Sequence, residues 1–397
     1  IDAAFARELG ANTTEIQTAL NQATGSGLKG YEAYAASPTN KVSIICDPDA
    51  PKRYGEFVRK TAMPEIRLLR GLKNVRAPVA FLEPSEPDFA GGHSWIHWHF
   101  VRAMRKAVAK QAIPFDVIGD REASDASVLS KYSCIVFPMA SVVSEEHDRA
   151  LMEAAKRGTT VVLDSYATNS YPNCVKVASR YKNHPGLLPK TAGGPLLDWY
   201  TNRIDELRAK LSSFSSCDGG AGYTFEKEDN GVRYVMVVNN RRKAREEGGG
   251  VLLTFCTNSW YRPYCAPQRI TTTLRGVPEG AAIYEFNAEG KDRKDERDGK
   301  DVRITRDFEA AEGVVYCVYP EPLKAPELTV SRLTSSVLGL GVKISTVSGK
   351  PAPGRTIVSV EVTDPDGRVT DESGRYAVEN GKVEIPIRFA DGDPEGG

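Results

Sequence analysis

Three carboxylates follow apolar runs whose ends a parallel sheet would bring together. Glu83, Asp120 and Asp164 stand near the ends of runs that begin at residues 77, 113 and 159. Parallel strands end at one edge of a sheet, and in open α/β sheets ligands bind there. Two neighbouring carboxyl groups can serve as acid and base when one of them has a raised pKa. Small-molecule chemistry is therefore one hypothesis, but loop and cap residues also occupy such positions, and we favour that simpler interpretation.

Two tryptophans lie on the polar side of a predicted helix over residues 94–111. At about 100° per residue, Trp95 and Trp98 share this side with Arg102 and Arg105. Core packing does not explain large aromatic side chains at such positions. We expect them to contact another domain or subunit, with stacking on a sugar ring or on Arg102 as the alternatives.

His93, just before this helix, and His97, in its first turn, lie four residues apart, a spacing that could suit a metal ion. Both fall on its apolar side, and the sequence offers no identifiable third ligand for a zinc site. We interpret them as structural histidines and predict neither a metal site nor a cofactor.

The seven cysteines form no CxxC or Cys/His cluster. Cys46, Cys134 and Cys317 lie in apolar runs and are interpreted as small buried thiols. Cys256 and Cys265 flank a probable loop and are a candidate disulfide, although sequence spacing does not fix the required geometry. Trp260 and Tyr261 in that loop form a second aromatic surface candidate.

Charge and hydropathy exclude two classes of partner. Lys+Arg and Asp+Glu both number 52, so no global field would attract nucleic acid or an anionic membrane. No apolar run approaches the roughly 20 residues that span a bilayer. The chain starts at Ile1 without Met or a leader, which leads us to expect a mature product or a fragment.

The elements that would position these residues predict a multidomain α/β plus all-β protein. Short apolar strands alternate with helical patterns over residues 77–215, which predicts a flavodoxin-like, doubly wound parallel sheet. One helix is expected to start at Ser144 and stop at Gly158. Residues 1–76 are an uncertain helical and strand segment, in which Pro64 should end or kink any helix over 55–72.

From residue 216 the hydrophobic period changes to two, which predicts two antiparallel β-sandwich domains over 216–325 and 326–397. Asp229-Asn230-Gly231 and Asn380-Gly381 are hairpin turn signals. The charged run Glu289–Asp301 is interpreted as a solvated loop. The last, immunoglobulin-like domain is expected to be truncated before its closing strand, leaving an unpaired edge.

The order of these modules resembles the C-terminal parts of family 42 β-galactosidases. Residues 77–200 look like their glutamine-amidotransferase-like, trimerisation-type domain, through VAFLEPSEPD, IPFDVIGD, LSKYSCIVFPMASVVSEEHDRAL and AAKRGTTVVLDS. VRYVMVVNN, ITTTLRGVPEGAAIYEF and GVVYCVYP resemble the β-sandwich that follows it. PAPGRTIVSVEVTDPDGR is similar to immunoglobulin-like or macroglobulin-like modules of secreted bacterial proteins.

The resemblance implies a carbohydrate-active protein in an extracellular, periplasmic or cell-surface setting, and it supplies no active site. In the family the catalytic carboxylates belong to a preceding barrel, for which residues 1–76 are too short. An active amidotransferase also needs Gly-x-Cys-x-Gly at a strained turn. This chain has Pro138-Met139-Ala140-Ser141-Val142 after its third strand and no such cysteine after its fourth.

We therefore expect no catalytic residue in this chain. The leading hypothesis is a non-catalytic association or accessory portion of a secreted, glycoside-hydrolase-like bacterial protein. Its partners would be further copies, neighbouring domains or carbohydrate. A structural component of a cell-surface or extracellular assembly is the first alternative, and a small-molecule enzyme or sensor using the strand-end carboxylates is the second.

Overall fold

A computed structural model of the chain combines a parallel sheet with helices and several antiparallel sheets. It describes residues 63–75, 77–82, 115–137, 142–164, 167–177, 215–218, 222–239, 241–243, 264–265, 267–286, 293–309 and 312–388. The predicted mixture of an α/β region and all-β regions is therefore confirmed.

The parallel sheet has five strands in the order β3-β2-β4-β5-β6. Its strands are β2 (Val79–Leu82), β3 (Phe115–Ile118), β4 (Cys134–Phe137), β5 (Thr160–Asp164) and β6 (Cys174–Val177). Every adjacent pair runs parallel. Both faces of its central strands are buried: Ala80 and Ile135 on one face, and Phe81 and Val136 on the other, are at most 1% exposed. This double burial explains why the strands are continuously apolar instead of alternating.

Helices follow strands β3 and β4. The described ones are α2 (Asp120–Ala123), α3 (Ala126–Leu129) and α4 (Glu145–Lys156), after an earlier helix α1 (Met63–Leu69). The predicted start and stop of α4 are confirmed: the Ser144 side chain accepts a hydrogen bond from the His147 amide at 3.2 Å. The helix gives way to Gly158 at a φ of 102°, a conformation that glycine adopts without strain. The predicted helix over 94–111 lies outside the described residues.

Two antiparallel sheets pack face to face in the middle of the chain. One has the order β1-β8-β9-β16-β13 and the other β14-β15-β12-β7. Their strands are β1 (Lys73–Asn74), β7 (Ser215–Cys217), β8 (Gly222–Asp229), β9 (Val232–Asn239), β12 (Gln268–Leu274), β13 (Ala282–Phe286), β14 (Arg293–Asp298), β15 (Asp301–Phe308) and β16 (Gly313–Tyr319), while β10 (Arg242–Lys243) and β11 (Tyr264–Cys265) form a separate pair. Val235 and Tyr316 of the first sheet meet Ile270 and Ile304 of the second in one apolar core. The predicted hairpin at Asp229-Asn230-Gly231 is confirmed, since Asn230 and Gly231 both take the positive φ that its tight turn needs.

The interpretation of Glu289–Asp301 as a solvated loop is wrong for its second part. Strand β14 pairs with β15 from Arg293↔Arg306 to Asp298↔Asp301, and Gly299 turns the chain at a φ of 59°. Five of the six β14 residues are exposed, because the strand lies at the edge of its sheet. Charged side chains that stay exposed at an edge keep most of their hydration, so a charged sequence is compatible with a strand.

The region upstream of the parallel sheet belongs structurally to the β-sandwich. Strand β1 pairs with β8 through Lys73↔Glu228, and Leu68 and Leu69 of helix α1 are buried against β9 and β16. Pro64 does not interrupt this helix, because it lies in the first turn, where its missing N–H costs no hydrogen bond. In chain order, the parallel sheet is thus inserted between two strands of the sandwich.

The last part of the chain forms a five-stranded antiparallel sheet in the order β17-β18-β21-β20-β19. The strands are β17 (Glu327–Thr334), β18 (Val337–Lys343), β19 (Arg355–Val360), β20 (Gly374–Glu379) and β21 (Lys382–Arg388). Strands β20 and β21 pair only at Glu379↔Lys382, next to the predicted Asn380-Gly381 turn. Val342 and Ile385 on one side of this narrow junction share a core with Val358 and Val378 on the other.

Candidate functional site

Of the five predicted ligand residues, the structure describes the side-chain environment of Asp120 alone. Asp120 is the exposed first residue of α2, and Asp164 ends β5 with its side chain outside the described residues. Glu83, Trp95 and Trp98 also lie outside them. A ligand site at this rim therefore stays a prediction. Among the described residues, no group of three His, Cys, Asp or Glu side chains could hold a metal ion.

The polar groups that the structure does describe near this rim connect loops to helices. Asp148, in the first turn of α4, accepts hydrogen bonds from the Asn169 amide at 2.6 Å and the Tyr171 hydroxyl at 2.7 Å. Burial, followed by the hydrogen bond to Asp148, raises the pKa of Tyr171. The His147 ring Nε2 lies 3.1 Å from the Asp120 backbone oxygen. These contacts hold the segments after β3, β4 and β5 together, and no hydrophobic period in the sequence predicts them.

The cysteines that the structure describes are suited to packing. Cys134, Cys217 and Cys317 are buried free thiols, and burial raises the pKa of each to about 12. Such thiols stay protonated near neutral pH and are poor nucleophiles. The interpretation of Cys134 and Cys317 as buried thiols is confirmed. Cys46 and Cys256 lie outside the described residues, as does the side chain of Cys265, so the candidate Cys256–Cys265 disulfide stays a prediction.

A buried ion cluster joins the two sheets of the sandwich. The Arg306 side chain of β15 is 1% exposed, pairs with Glu285 of β13 and lies 2.8 Å from Glu312. Its guanidinium also stacks 4.8 Å from the centre of the Phe308 ring. A buried charge needs such partners to offset its lost hydration, so the cluster fixes how the sheets face each other. Its sequence signal was the two-residue period: Arg306 continues the inward-facing row of Val302, Ile304 and Phe308.

A second arginine, Arg355 at the start of β19, lies where the last sheet meets helix α1. Its Nη1 donates hydrogen bonds to the backbone oxygens of Arg67 at 3.1 Å, Leu68 at 3.4 Å and Arg70 at 2.5 Å. Its Nη2 pairs with Glu379 of β20 at 2.8 Å. Carbonyl groups in the last turn of a helix have no partners within the helix, so the guanidinium satisfies them as a C-terminal cap.

The backbone of Arg355 is held by the sandwich. Its N–H donates to the Tyr234 hydroxyl at 2.6 Å, and its carbonyl oxygen accepts from the hydroxyls of Tyr234 at 2.7 Å and Tyr319 at 2.8 Å. Burial raises the pKa of both tyrosines, so both hydroxyls remain protonated donors. The preceding Gly354 has a φ of 65°, and a Cβ there would lie 2.9 Å from the Asp229 backbone oxygen. Only glycine allows this close approach.

Further hydrogen bonds surround this junction. The Asn230 and Asn380 side chains, from two separate hairpin turns, meet at 2.7 Å. The Arg67 guanidinium donates to the Arg375 backbone oxygen at 2.7 Å. Helix α1, the sandwich and the last sheet are thus joined through both side chains and backbone. Sequence reasoning missed this junction, because its partners lie more than 100 residues apart and share no local pattern.

The strand β17 presents the largest apolar side chains on the surface of the last sheet. All eight of its residues are exposed, with Leu328 at 64% and Val330 at 68%. These two residues pair with Val342 and Leu340 of β18. Paired residues of antiparallel strands point to the same face, so Leu328 and Val330 extend the face that forms the core.

The sequence matches no protein-family profile and no curated protein. Solved structures that it resembles include a catalytic mutant of a GH42 β-galactosidase from G. stearothermophilus, with 14% identity, a TM-score of 0.41, and coverage of 73% of this chain and 47% of that one. An α-L-fucosidase isoenzyme from Paenibacillus thiaminolyticus gives 12% identity, a TM-score of 0.45, and coverage of 76% and 57%. A GH42 exo-carrageenase from Bacteroides ovatus gives 10% identity, a TM-score of 0.37, and coverage of 77% and 39%. The chain thus spans between two fifths and three fifths of the length of these proteins.

Among the described residues, no helix has the length and apolar character needed to cross a membrane.

Proposed function

We propose that this chain is a non-catalytic association and accessory portion of a secreted, glycoside-hydrolase-like bacterial protein that acts on carbohydrate. The junction at Arg355 is the observation that carries the proposal. It joins helix α1, the sandwich and the last sheet through hydrogen bonds of 2.5–3.4 Å. Hydrogen bonds between modules fix the arrangement of those modules. A fixed arrangement suits a scaffold that holds other domains in place.

In this proposal each module has a mechanical role. The parallel sheet belongs to a flavodoxin-like, amidotransferase-like domain of the trimerisation type, and its strand order β3-β2-β4-β5-β6 is the 2-1-3-4-5 order of flavodoxin. This domain serves association. The sandwich and the immunoglobulin-like last domain serve as rigid spacers or attachment modules in an extracellular, periplasmic or cell-surface setting. The sequence motifs that resemble family 42 β-galactosidases support this assignment.

The test is an activity measurement on the purified chain with aryl galactosides. We expect release of the aryl group no faster than in buffer, with a known β-galactosidase assayed in parallel as the positive control. Sustained hydrolysis proportional to the concentration of the chain would overturn the proposal. In that event Asp120→Asn and Asp164→Asn would show whether the strand-end carboxylates are responsible.

A second candidate is a structural component of a cell-surface or extracellular assembly, and the exposure of β17 favours it. An edge strand with uncovered apolar side chains can accept a strand from a neighbour. Light scattering distinguishes this candidate from a scaffold that acts only within one chain. A monomeric mass that does not change with concentration would count against the assembly.

A further inference from the structure

Strand β17 is a preformed edge on which another strand can pair. It forms register pairs with β18 from Glu327↔Lys343 to Thr334↔Val337, and β18 is its one neighbour among the described residues. Its eight residues would span about 27 Å at a rise of about 3.4 Å per residue. The outward backbone N–H and C=O groups along this length are available to a partner.

The apolar face of β17 continues the face that forms the core, but its side chains are exposed. Val342 of β18 is 2% exposed, whereas its partner Leu328 on β17 is 64% exposed. Val330, opposite Leu340, is 68% exposed. The core of this module includes Val342 and Ile385 of the central strands, but no residue of β17. A strand added beside β17 would place its own apolar side chains next to Leu328 and Val330 and extend the same face.

We propose that β17 pairs with β17 of a second copy of this chain, antiparallel and about a two-fold axis through Thr329. This inference rests on the second candidate function proposed above, a component of an assembly, and deepens it by naming its partner and its surface. In this register Leu328 lies opposite Val330 of the other copy, so that the four apolar side chains form two pairs on the core-facing side. Thr329 lies opposite itself on the other side, and Thr–Thr pairs are favourable across antiparallel strands.

The sequence of β17 favours the register about Thr329 over the register about Val330. A two-fold axis through Val330 would place Leu328 opposite Arg332 and Glu327 opposite Leu333, which leaves apolar side chains against charges. The axis through Thr329 places no like charges opposite each other. Natural edge strands are commonly protected by a central charge, a proline or a bulge. In β17 the charges lie at Glu327 and Arg332, no proline interrupts the strand, and the bulge lies beyond Arg332.

The expected dimer is weak. In this register five residues of each strand, 327–331, face the other β17, and so short a pair buries less than the roughly 800 Å² per partner that stable interfaces use. We therefore expect a dissociation constant on the order of 100 µM. Association would strengthen where several copies are held side by side, because linked binding sites raise the effective concentration.

Sedimentation equilibrium on the full chain, over concentrations from about 5 to about 500 µM, tests the dimer. We expect the average mass to rise from one chain toward two. Val330→Lys places a charge in both apolar pairs and should raise the dissociation constant at least tenfold. Val369→Lys is the matched control, since Val369 is 61% exposed outside β17, and it should leave the constant unchanged. Thermal unfolding checks that both variants fold.

A cysteine at the axis tests the register. Opposed residues of antiparallel strands have Cα atoms about 4.5–5.5 Å apart, within the range that a disulfide spans. Thr329→Cys should therefore form disulfide-linked dimers under mild oxidation, in a larger fraction than the unmodified chain does. Ser331→Cys, on the same face but about 13 Å from its copy in this register, should not. A constant monomeric mass up to the highest concentration, or equal cross-linking of the two variants, would overturn the inference. An inactive but strictly monomeric chain would leave the proposed accessory role standing.

Discussion

At the scale of single residues, two arginines make the contacts that join separate elements of the molecule. Arg306 and Arg355 are 1% and 17% exposed, and each bonds to groups from more than one element. The guanidinium group suits such positions because its planar set of donors can satisfy several oxygens at once and it remains charged at any relevant pH. The role that the structure shows for both arginines is therefore to hold separate elements together.

We predict that Arg355→Met lowers the free energy of unfolding by about 3 kcal/mol, because hydrogen bonds to charged groups contribute about 1.5–3 kcal/mol and several are lost together. Methionine keeps much of the packing of the arginine stem. Denaturation with urea measures the effect. Arg269→Met is the control: Arg269 and Asp307 lie 3.7 Å apart with side chains 65% and 73% exposed, and such a pair contributes less than about 1 kcal/mol. Equal losses in the two variants would contradict a special role for Arg355.

The predictability of these residues from sequence differs for a physical reason. Arg306 occupies an inward position of a two-residue repeat that continues to Phe308, so the repeat itself indicates a buried charge at this position. Arg355 has no comparable signal, because its partners Arg67 and Leu68 come from the other end of the described chain. Contacts between residues far apart in the sequence cannot be predicted from a local pattern. The strand-end carboxylates were easy to find, and their role stays a prediction.

At the scale of elements, local turn chemistry was the most dependable guide. Both Asn-Gly turns form hairpins, because the two residues tolerate the positive φ that these turns require. Composition led to a wrong prediction at β14. Its run of charges is typical of a solvated loop, but the run forms an edge strand with no face toward the core. The pairing of β1 with β8 was also beyond sequence reasoning, since two residues are too few to show a period.

The two Asn-Gly turns provide a matched pair of variants. Gly231 and Gly381 both have a φ of 78°. A Cβ at Gly231 would meet nothing within 4 Å, whereas at Gly381 it would lie 2.6 Å from the Ile344 backbone oxygen and 2.8 Å from the Ala352 nitrogen. Gly231→Ala should therefore cost only the left-handed strain, about 1–2 kcal/mol.

Gly381→Ala should cost a further 1–3 kcal/mol or so, because rigid backbone atoms must move. Urea denaturation of the two variants measures the difference, and the unmodified chain gives the reference. If the losses were equal, the close packing of the Gly381 turn against residues 344–352 would be refuted.

At the scale of the whole molecule, the chain enters the sandwich twice. Helix α1 and strand β1 contribute to it before the parallel sheet begins, and β7 returns to it afterwards. Domain boundaries drawn at 76 and 216 follow changes of hydrophobic period, and such changes cannot reveal that an early segment packs against a late one. The predicted boundaries remain untested as folding units, but the packing indicates how to test them.

Two buried leucines should stabilise different parts of the molecule, although both precede the sandwich strands β7–β16 in the sequence. Leu68 of α1 is 1% exposed and packs with Tyr234, Val315 and other residues of the sandwich, while Leu129 of α3 is 0% exposed in the core of the parallel sheet. Substitution of either by alanine should cost about 2–5 kcal/mol through lost contacts and a cavity. Native-state hydrogen exchange on the full chain locates the loss.

In Leu68→Ala we expect faster exchange in β9, β16 and β19, with β4 and β5 protected as before, because helix α1 supports the sandwich and its junction with the last sheet. In Leu129→Ala the pattern should reverse. Since residue 68 lies closer in sequence to β4 than to β16, faster exchange confined to the parallel sheet in Leu68→Ala would mean that α1 belongs with its sequence neighbours. The inserted arrangement requires the opposite, because Leu68 then stabilises strands more than 160 residues further along the chain.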